Sequence, residues 1–134
     1  MKTSRFFVAC ALGASLLAGL LLPLSAHAQG NGISKVRIST SVGDIEAELY
    51  ADKAPRTVAN FLQYVKDKHY DGTVFHRVIS SFMVQGGGFD AKYQQKPTRA
   101  PIEHEGRKAL AAGLKNTTGT LAMARTGDPH SASS

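Results

Sequence analysis

Apolar and polar residues alternate along the segment that begins near residue 35, and a period of two predicts β-strands. Val36 and Ile38 alternate with charged or hydroxyl residues, and apolar residues alternate with glutamates over 45–49. Turn-forming residues at 40–44 separate the two runs. The pattern predicts a hairpin with one buried face and one solvated face.

The next segment has helical spacing and is predicted to form a helix over 52–68. Pro55 is compatible with a first helical turn, where its missing N–H would have no partner in any case. Apolar residues recur at i, i+3, i+4 and i+7. These residues are Val58, Phe61, Leu62 and Val65.

Downstream of the helix the pattern again favours strands. A β-branched and aromatic run predicts a strand over 73–79, and a second short strand is predicted over 82–85, ended by the glycines at 86–88. Residues 89–116 are mostly loop in this interpretation, and a last strand is predicted over 119–124. The fold class is therefore mainly β with one clear helix.

The N-terminal 28 residues have the organisation of a cleavable signal peptide. Lys2 and Arg5 precede an apolar run over 6–24, and small residues at Ala26 and Ala28 fit an A-x-A cleavage site. The alternative is a membrane anchor, which Gly13, Gly19 and Pro23 disfavour. Cleavage would leave one domain over 29–134, with no stable membrane association.

Composition narrows the possible chemistry of that domain. The chain has a net charge of +6 and one cysteine, and cleavage would remove two cations together with Cys10. A disulfide framework, a cysteine-based metal site and a cysteine nucleophile are then excluded, and a bacterial periplasm is the expected location. The basic residues are scattered, which disfavours nucleic-acid binding.

Several familiar sites fail on spacing. The glycines at 86–88 lack the following Gly-Lys-Ser/Thr of a phosphate loop. The histidines lack metal-ligand spacing, and Ser80 and Ser81 lack the setting of a nucleophile elbow. We therefore expect neither a metal nor a cofactor.

The residues that remain lie on the strand pair at 73–79 and 82–85. This pair carries one cation, Arg77, and one amide, Gln85, among apolar groups, and Met83 shares a face with Gln85. Spacing alone leaves two interpretations open. The pair is either a functional surface or an ordinary hairpin with an exposed arginine.

Four stretches of the chain resemble the cyclophilin peptidyl-prolyl isomerases. FHRVISSFMVQGGGF resembles the signature of that family, and HYDGTVFHRVI resembles the approach to it. ISTSVGDIEAELYADKAPRTVANFLQYV resembles the opening hairpin and helix, and NTTGTLAMART resembles a later strand of the exported bacterial branch. The resemblance extends over residues 36–134.

The resemblance implies a fold and a site. The fold would be an antiparallel β-barrel of eight strands capped by two helices. Arg77 would be the catalytic residue, whereas His76 would support the strand. The substrate-binding residues would be Phe82, Met83, Gln85, Ala124 and Arg125. Phe82 and Met83 would hold the proline ring, and Gln85 would bind substrate backbone or position the arginine.

The chain departs from the family pattern in two places. Ser80-Ser81 stands where the family usually has Pro-Gly. The family pattern also continues past Ser134 into further strands and a second helix, so the sequence predicts an incomplete barrel and a C-terminally truncated chain.

The leading hypothesis is a monomeric periplasmic isomerase that acts on proline-containing polypeptides during the folding of exported proteins. Two alternatives stay open at this point. One is a proline-peptide binder or chaperone without catalysis, and the other is an inactive truncated fragment.

Overall fold

The computed structural model describes residues 32–134, so the predicted leader and its cleavage site lie outside the described residues. Two antiparallel hairpins and two helices make up the regular structure. In chain order the elements are β1 (Ile33–Thr40), β2 (Gly43–Tyr50), α1 (Pro55–Lys66), β3 (Thr73–Ile79), β4 (Met83–Asp90) and α2 (Gly106–Ala111). Within residues 32–134, no helix is long and apolar enough to cross a bilayer.

The first hairpin has the solvated face that the alternation predicts. β1 and β2 pair so that Lys35 lies opposite Glu48 and Arg37 lies opposite Glu46. Both pairs form ion pairs on the exposed side, at 3.1 and 3.2 Å. The alternate residues of β1 are only half-buried, and Ile45 of β2 is 43% exposed, so within residues 32–134 the predicted buried face is not fully covered. Opposite charges on facing residues favour this register. A slip of one residue would in addition turn the apolar residues toward solvent.

Helix α1 is shorter than the predicted 52–68, and its inner face includes Val58, Phe61 and Leu62 as predicted but Tyr64 in place of Val65. Pro55 opens the helix, as expected. Val58 and Tyr64 are its buried residues, whereas Val65 is 42% exposed, so the prediction of Val65 on the inner face was wrong. Tyr64 is buried because the loop after β4 packs over it. The backbone N–H of Arg99 donates to the Tyr64 hydroxyl at 2.6 Å.

The N-terminus of α1 is capped by a residue distant in sequence. Ala54 precedes the helix and has no side chain that can accept a hydrogen bond. The carboxylate of Glu105 takes that place: it accepts from the backbone N–H groups of Arg56 at 3.2 Å and Thr57 at 2.8 Å, and from the Thr57 hydroxyl at 2.9 Å. Orphan N–H groups and the positive end of the helix dipole favour a carboxylate here.

Strand β4 continues through the three glycines, so the prediction that they end it was wrong. β4 runs from Met83 to Asp90, and the register shifts on either side of Phe75. A Cβ on Gly86 would lie 2.7 Å from Cδ1 of Phe75, and Gly87 has a φ of +93°. The glycines thus permit a bulge and a close ring contact, which are established uses of glycine within strands.

Two further predictions need correction in the C-terminal third. Residues 119–124 form no strand, since no other segment of residues 32–134 pairs with them in a backbone ladder. Residues 89–116 are mostly loop, as predicted, but they also contain the unpredicted helix α2. The end of the chain packs back onto α1, where the side chain of Asn60 donates to the Ser133 carbonyl at 2.7 Å. Ala132 is buried beside this contact.

An aromatic cluster lies between α1 and the bulge of β4. Phe61 stacks on Tyr70 with ring centroids 5.1 Å apart, and Tyr64 meets His69 edge-on at 4.6 Å. Burial raises the pKa of Tyr70 to about 12 and lowers the pKa of His69, an effect to which the ammonium of Lys96 adds. The Tyr70 ring lies against Gly87, so the aromatic cluster packs against the bulge of β4.

The fold class is mainly β with antiparallel strands, as predicted. Among the described residues, the strands form two separate two-stranded sheets, β1–β2 and β3–β4, and no ladder joins them into a barrel.

Candidate active site

The face of the β3–β4 hairpin that carries Arg77 brings three predicted site residues together. Arg77 lies directly opposite Gln85, and Ile79 lies opposite Met83. Facing residues point to the same side of a sheet, and so do residues two apart. The Arg77 guanidinium donates from Nη1 to Oε1 of Gln85 at 3.5 Å. Gln85 is therefore placed to orient the arginine, which is one of the two roles that the resemblance implies.

Phe82 lies in the turn between the strands and not on that face. Its backbone N–H donates to the Ile79 carbonyl at 3.1 Å, and its side chain is 76% exposed. Nothing within residues 32–134 encloses Phe82 and Met83 together as a seat for a proline ring. The roles assigned to these two residues stay predictions.

The same turn explains the departure at Ser80-Ser81. Ser81 has a φ of +61°, in the left-handed region. Glycine adopts this region without steric cost, whereas L-residues are strained there. The resemblance places a glycine at this position, and the serine adopts this left-handed backbone conformation at a cost. Beyond this turn, Arg77 lies opposite Gln85.

Replacing Ser81 with glycine is expected to stabilise the fold by about 0.5–1 kcal/mol, since the strain is relieved and part of the gain is lost to unfolded-chain entropy. Denaturant unfolding monitored by circular dichroism measures the change. Ser80→Gly is the matched control and should be neutral or destabilising, because Ser80 has no positive φ. Equal effects of the two variants would contradict the strain at Ser81.

An open groove of about 320 Å³ begins beside Gln85. One wall comes from the β3–β4 hairpin and includes His76, Gln85 and Phe89. Ala124 and Arg125 form the facing wall, and the chain end closes one side. Three of the six predicted site residues therefore line one groove. Arg77 borders it through Gln85, whereas Phe82 and Met83 do not line it.

A tight turn holds the wall that carries Ala124 and Arg125. The Ser131 hydroxyl accepts from the backbone N–H of Thr126 at 2.9 Å and pairs with the Thr126 hydroxyl at the same distance. The guanidinium of Arg125 donates to the Thr126 carbonyl at 3.0 Å. Residues 124–126 thus line the groove without belonging to a strand.

Sequence reasoning missed two kinds of groove residue. Gln95 and Thr98 come from the loop after β4. Gln95 forms an isolated β-bridge with Phe89, which no local sequence pattern predicts. His76 was assigned to strand support; its ring packs on Phe89 at 4.5 Å, but it also lines the groove, and its Nδ1 has no hydrogen-bond partner. The position of His76 next to Arg77 in the signature could have identified it as a groove residue.

The site has the chemistry of a binding groove with one oriented guanidinium. Within residues 32–134, no group of three His, Cys, Asp or Glu side chains could hold a metal ion. The ionisable side chains lining the groove are His76 and Arg125.

Comparison with known proteins decides the family. The profile of the family described as cyclophilin type peptidyl-prolyl cis-trans isomerase/CLD matches residues 35–134. The chain belongs to the cyclophilin family. The β3–β4 hairpin, α1 and the groove lie within the matched range, so the site described above belongs to the cyclophilin domain.

Bacterial relatives are similar over most of the chain. A peptidyl-prolyl cis-trans isomerase of Acinetobacter baylyi is 52% identical over 121 residues, which cover 90% of this chain and 60% of the relative. Peptidyl-prolyl cis-trans isomerase B of Escherichia coli is 54% identical over 97 residues, covering 72% and 57%. A Streptomyces antibioticus isomerase is 57% identical over 100 residues, covering 75% and 58%. The chain thus spans about six-tenths of the length of these curated relatives.

Proposed function

We propose that this cyclophilin chain is a peptidyl-prolyl cis–trans isomerase. The observation that carries the proposal is the Arg77 guanidinium, which donates to Gln85 on an exposed hairpin face beside an open groove of about 320 Å³. Family membership and relatives named as peptidyl-prolyl cis-trans isomerases support it.

The chemistry needs no nucleophile, metal or cofactor. Rotation about an X-Pro bond is slow because amide resonance opposes it, with a barrier of roughly 18–20 kcal/mol. Resonance is lost as the bond twists, and the prolyl nitrogen regains a lone pair. A donor aimed at that nitrogen stabilises the twisted state more than either planar state. The Arg77 guanidinium fits this role, because it is always charged and presents several N–H groups in a rigid plane.

Besides a donor to the prolyl nitrogen, catalysis requires that the peptide be bound, and the groove offers contacts for this. Gln85 and the 124–126 wall offer amide and backbone groups to an extended chain, and the Phe89 ring offers an apolar surface. One part of the substrate is held while the other rotates past Arg77. Proline-containing polypeptides are the substrate class that this arrangement suits.

Cis-to-trans relaxation of an X-Pro test peptide tests the proposal. Purified protein lacking residues 1–28 should accelerate the relaxation in proportion to its concentration. Uncatalysed exchange takes tens to hundreds of seconds, so even modest acceleration can be measured. Unchanged relaxation, with the protein shown to be folded, would overturn the proposal.

Binding without catalysis is the second candidate function. Phe82 is 76% exposed and does not line the groove, so the proline ring has no seat next to Arg77 among residues 32–134. A peptide could then occupy the groove without being held for rotation. Saturable binding of the test peptide with an unchanged relaxation rate is the result expected from this candidate.

We further propose that the protein acts on exported polypeptides in the periplasm as a monomer. The support is the signal-peptide pattern of the first 28 residues and the absence of cysteine after Cys10. Expression of the full chain in a Gram-negative host should give a periplasmic protein whose N-terminal sequence begins at Gln29. A protein that keeps Met1 and stays with the membrane fraction would contradict the location.

A further inference from the structure

The arginines of the described chain fall into groups that differ in their partners. Three arginines form ion pairs with acidic side chains. Arg37 pairs with Asp44 and Glu46. Arg56 pairs with Glu103, and Arg99 pairs with Asp67. Arg77 and Arg125, at the groove, form no ion pair within residues 32–134. Arg107 on α2 also forms none, but it lies outside the groove.

The groove itself has no acidic lining. None of the ten Asp and Glu side chains of the protein lines it, whereas Arg125 and His76 do. The acids nearest to lining residues along the chain are Asp90, which follows Phe89, and Asp128. Asp90 Oδ1 accepts from the backbone N–H groups of Lys92 at 2.8 Å and Gln94 at 2.9 Å, and Asp128 Oδ1 accepts from that of His130 at 2.9 Å. The side chains at the groove therefore include the cations Arg125, along one wall, and Arg77, at the border, and no carboxylate side chain.

Arg125 is placed to use that charge on a bound peptide. One guanidinium nitrogen donates to the Thr126 carbonyl at 3.0 Å, which fixes the side chain along the groove wall. The residue is exposed, and a guanidinium has further N–H groups in the same plane. A carboxylate on a peptide beside residues 124–126 would meet a held cation with no competing acid.

We propose that the groove favours proline peptides that carry Asp or Glu near the proline, and that Arg125 is the residue that determines this preference. The inference rests on the proposed function and names its substrate class. Because Arg125 is solvent-exposed, the preference is modest. Measured exposed ion pairs correspond to about two- to fivefold in an equilibrium constant, and salt screens them.

The test uses pairs of proline peptides that differ only by Glu or Gln, placed in turn at each of the two residues before and after the proline. NMR titration gives Kd for each peptide, and NMR exchange measurements give the catalysed rate. At low salt, the Glu member of at least one pair should bind about two- to fivefold more tightly. The ratio should approach one at about 1 M salt, where the screening length is roughly 3 Å.

Variants separate Arg125 from the general charge of the protein. Arg125→Gln should abolish the Glu-to-Gln ratio, and Arg125→Lys should keep most of it, because the cation remains. Arg107→Gln removes the same charge away from the groove and should leave the ratio unchanged. A ratio that persists in Arg125→Gln, or a ratio of one for every pair with the unmodified protein, would overturn the inference.

The two readouts keep the inference distinct from the proposed function. A Glu preference in binding that depends on Arg125, without accelerated exchange, would support the inference and reject catalysis. Accelerated exchange with equal use of Glu and Gln peptides would support catalysis and reject the inference. Failure of every peptide to bind would reject both.

Discussion

Replacing Arg77 with alanine should reduce the catalysed rate of X-Pro isomerisation by about 100-fold or more. Arg77 is the donor proposed to stabilise the twisted amide, and removing one oriented donor at a reacting centre typically costs 10²–10³ in rate. The cis-to-trans relaxation assay measures the loss, with the peptide well below saturation so that kcat/KM is compared.

Stability should be nearly unchanged in the same variant, which makes the loss interpretable. Arg77 is exposed, and the described contact of its side chain is a long hydrogen bond to Gln85 at 3.5 Å. Surface substitutions of this kind usually change stability by less than about 0.5 kcal/mol.

Two further variants at arginine positions complete the test of Arg77. Arg77→Lys keeps the charge but not the rigid fork, so its rate should be intermediate. Arg107→Ala removes an arginine from α2 and should leave the rate unchanged. Wild-type activity in Arg77→Ala would contradict the mechanism.

Replacing Tyr64 with alanine should destabilise the protein by about 3–5 kcal/mol, the usual cost of truncating a buried aromatic side chain. Tyr64 is 2% exposed, and its ring meets His69 edge-on. Few other residues within 32–134 are fully buried, so the core offers little to compensate. Equilibrium unfolding in urea, with coincident fluorescence and circular dichroism transitions, measures the loss.

Tyr64→Phe separates the ring from its hydroxyl. The ring remains, but the backbone N–H of Arg99 loses the acceptor that it contacts at 2.6 Å, which should cost about 1–3 kcal/mol. Tyr93→Ala is the matched control, because Tyr93 is 70% exposed and should change stability by less than about 0.5 kcal/mol. Similar losses at Tyr64 and Tyr93 would contradict the assignment of Tyr64 to the core.

The parts of the fold that sequence predicted are those with local causes. The first hairpin follows from alternation and a turn, and α1 follows from a 3.6-residue period and Pro55. The errors have non-local causes. Tyr64 is buried because Arg99 arrives from 35 residues downstream, and the glycines of β4 continue a strand because Phe75 occupies the space of a side chain. Residues 119–124 have strand composition, but the part of the chain that the structure describes offers them no partner strand.

The candidate site divides in the same way. Arg77 and Gln85 are opposite each other in one hairpin, so register alone brings them together. Ala124 and Arg125 reach the groove through a turn closed by Ser131, and Gln95 reaches it through an isolated bridge. The family resemblance identified Ala124 and Arg125, whereas periodicity could identify neither them nor Gln95.

The distant cap on α1 has a consequence for the order of events during synthesis. The helix ends at Lys66, but the carboxylate that satisfies its first turn belongs to Glu105, 48 residues after Thr57. At about 5–20 residues per second, a ribosome needs roughly 2–10 s to add those residues. During that interval the nascent helix has no partner for its N-terminal N–H groups and none of the covering contact from Arg99. Helix α1 therefore gains its stability late, after both hairpins have already left the ribosome.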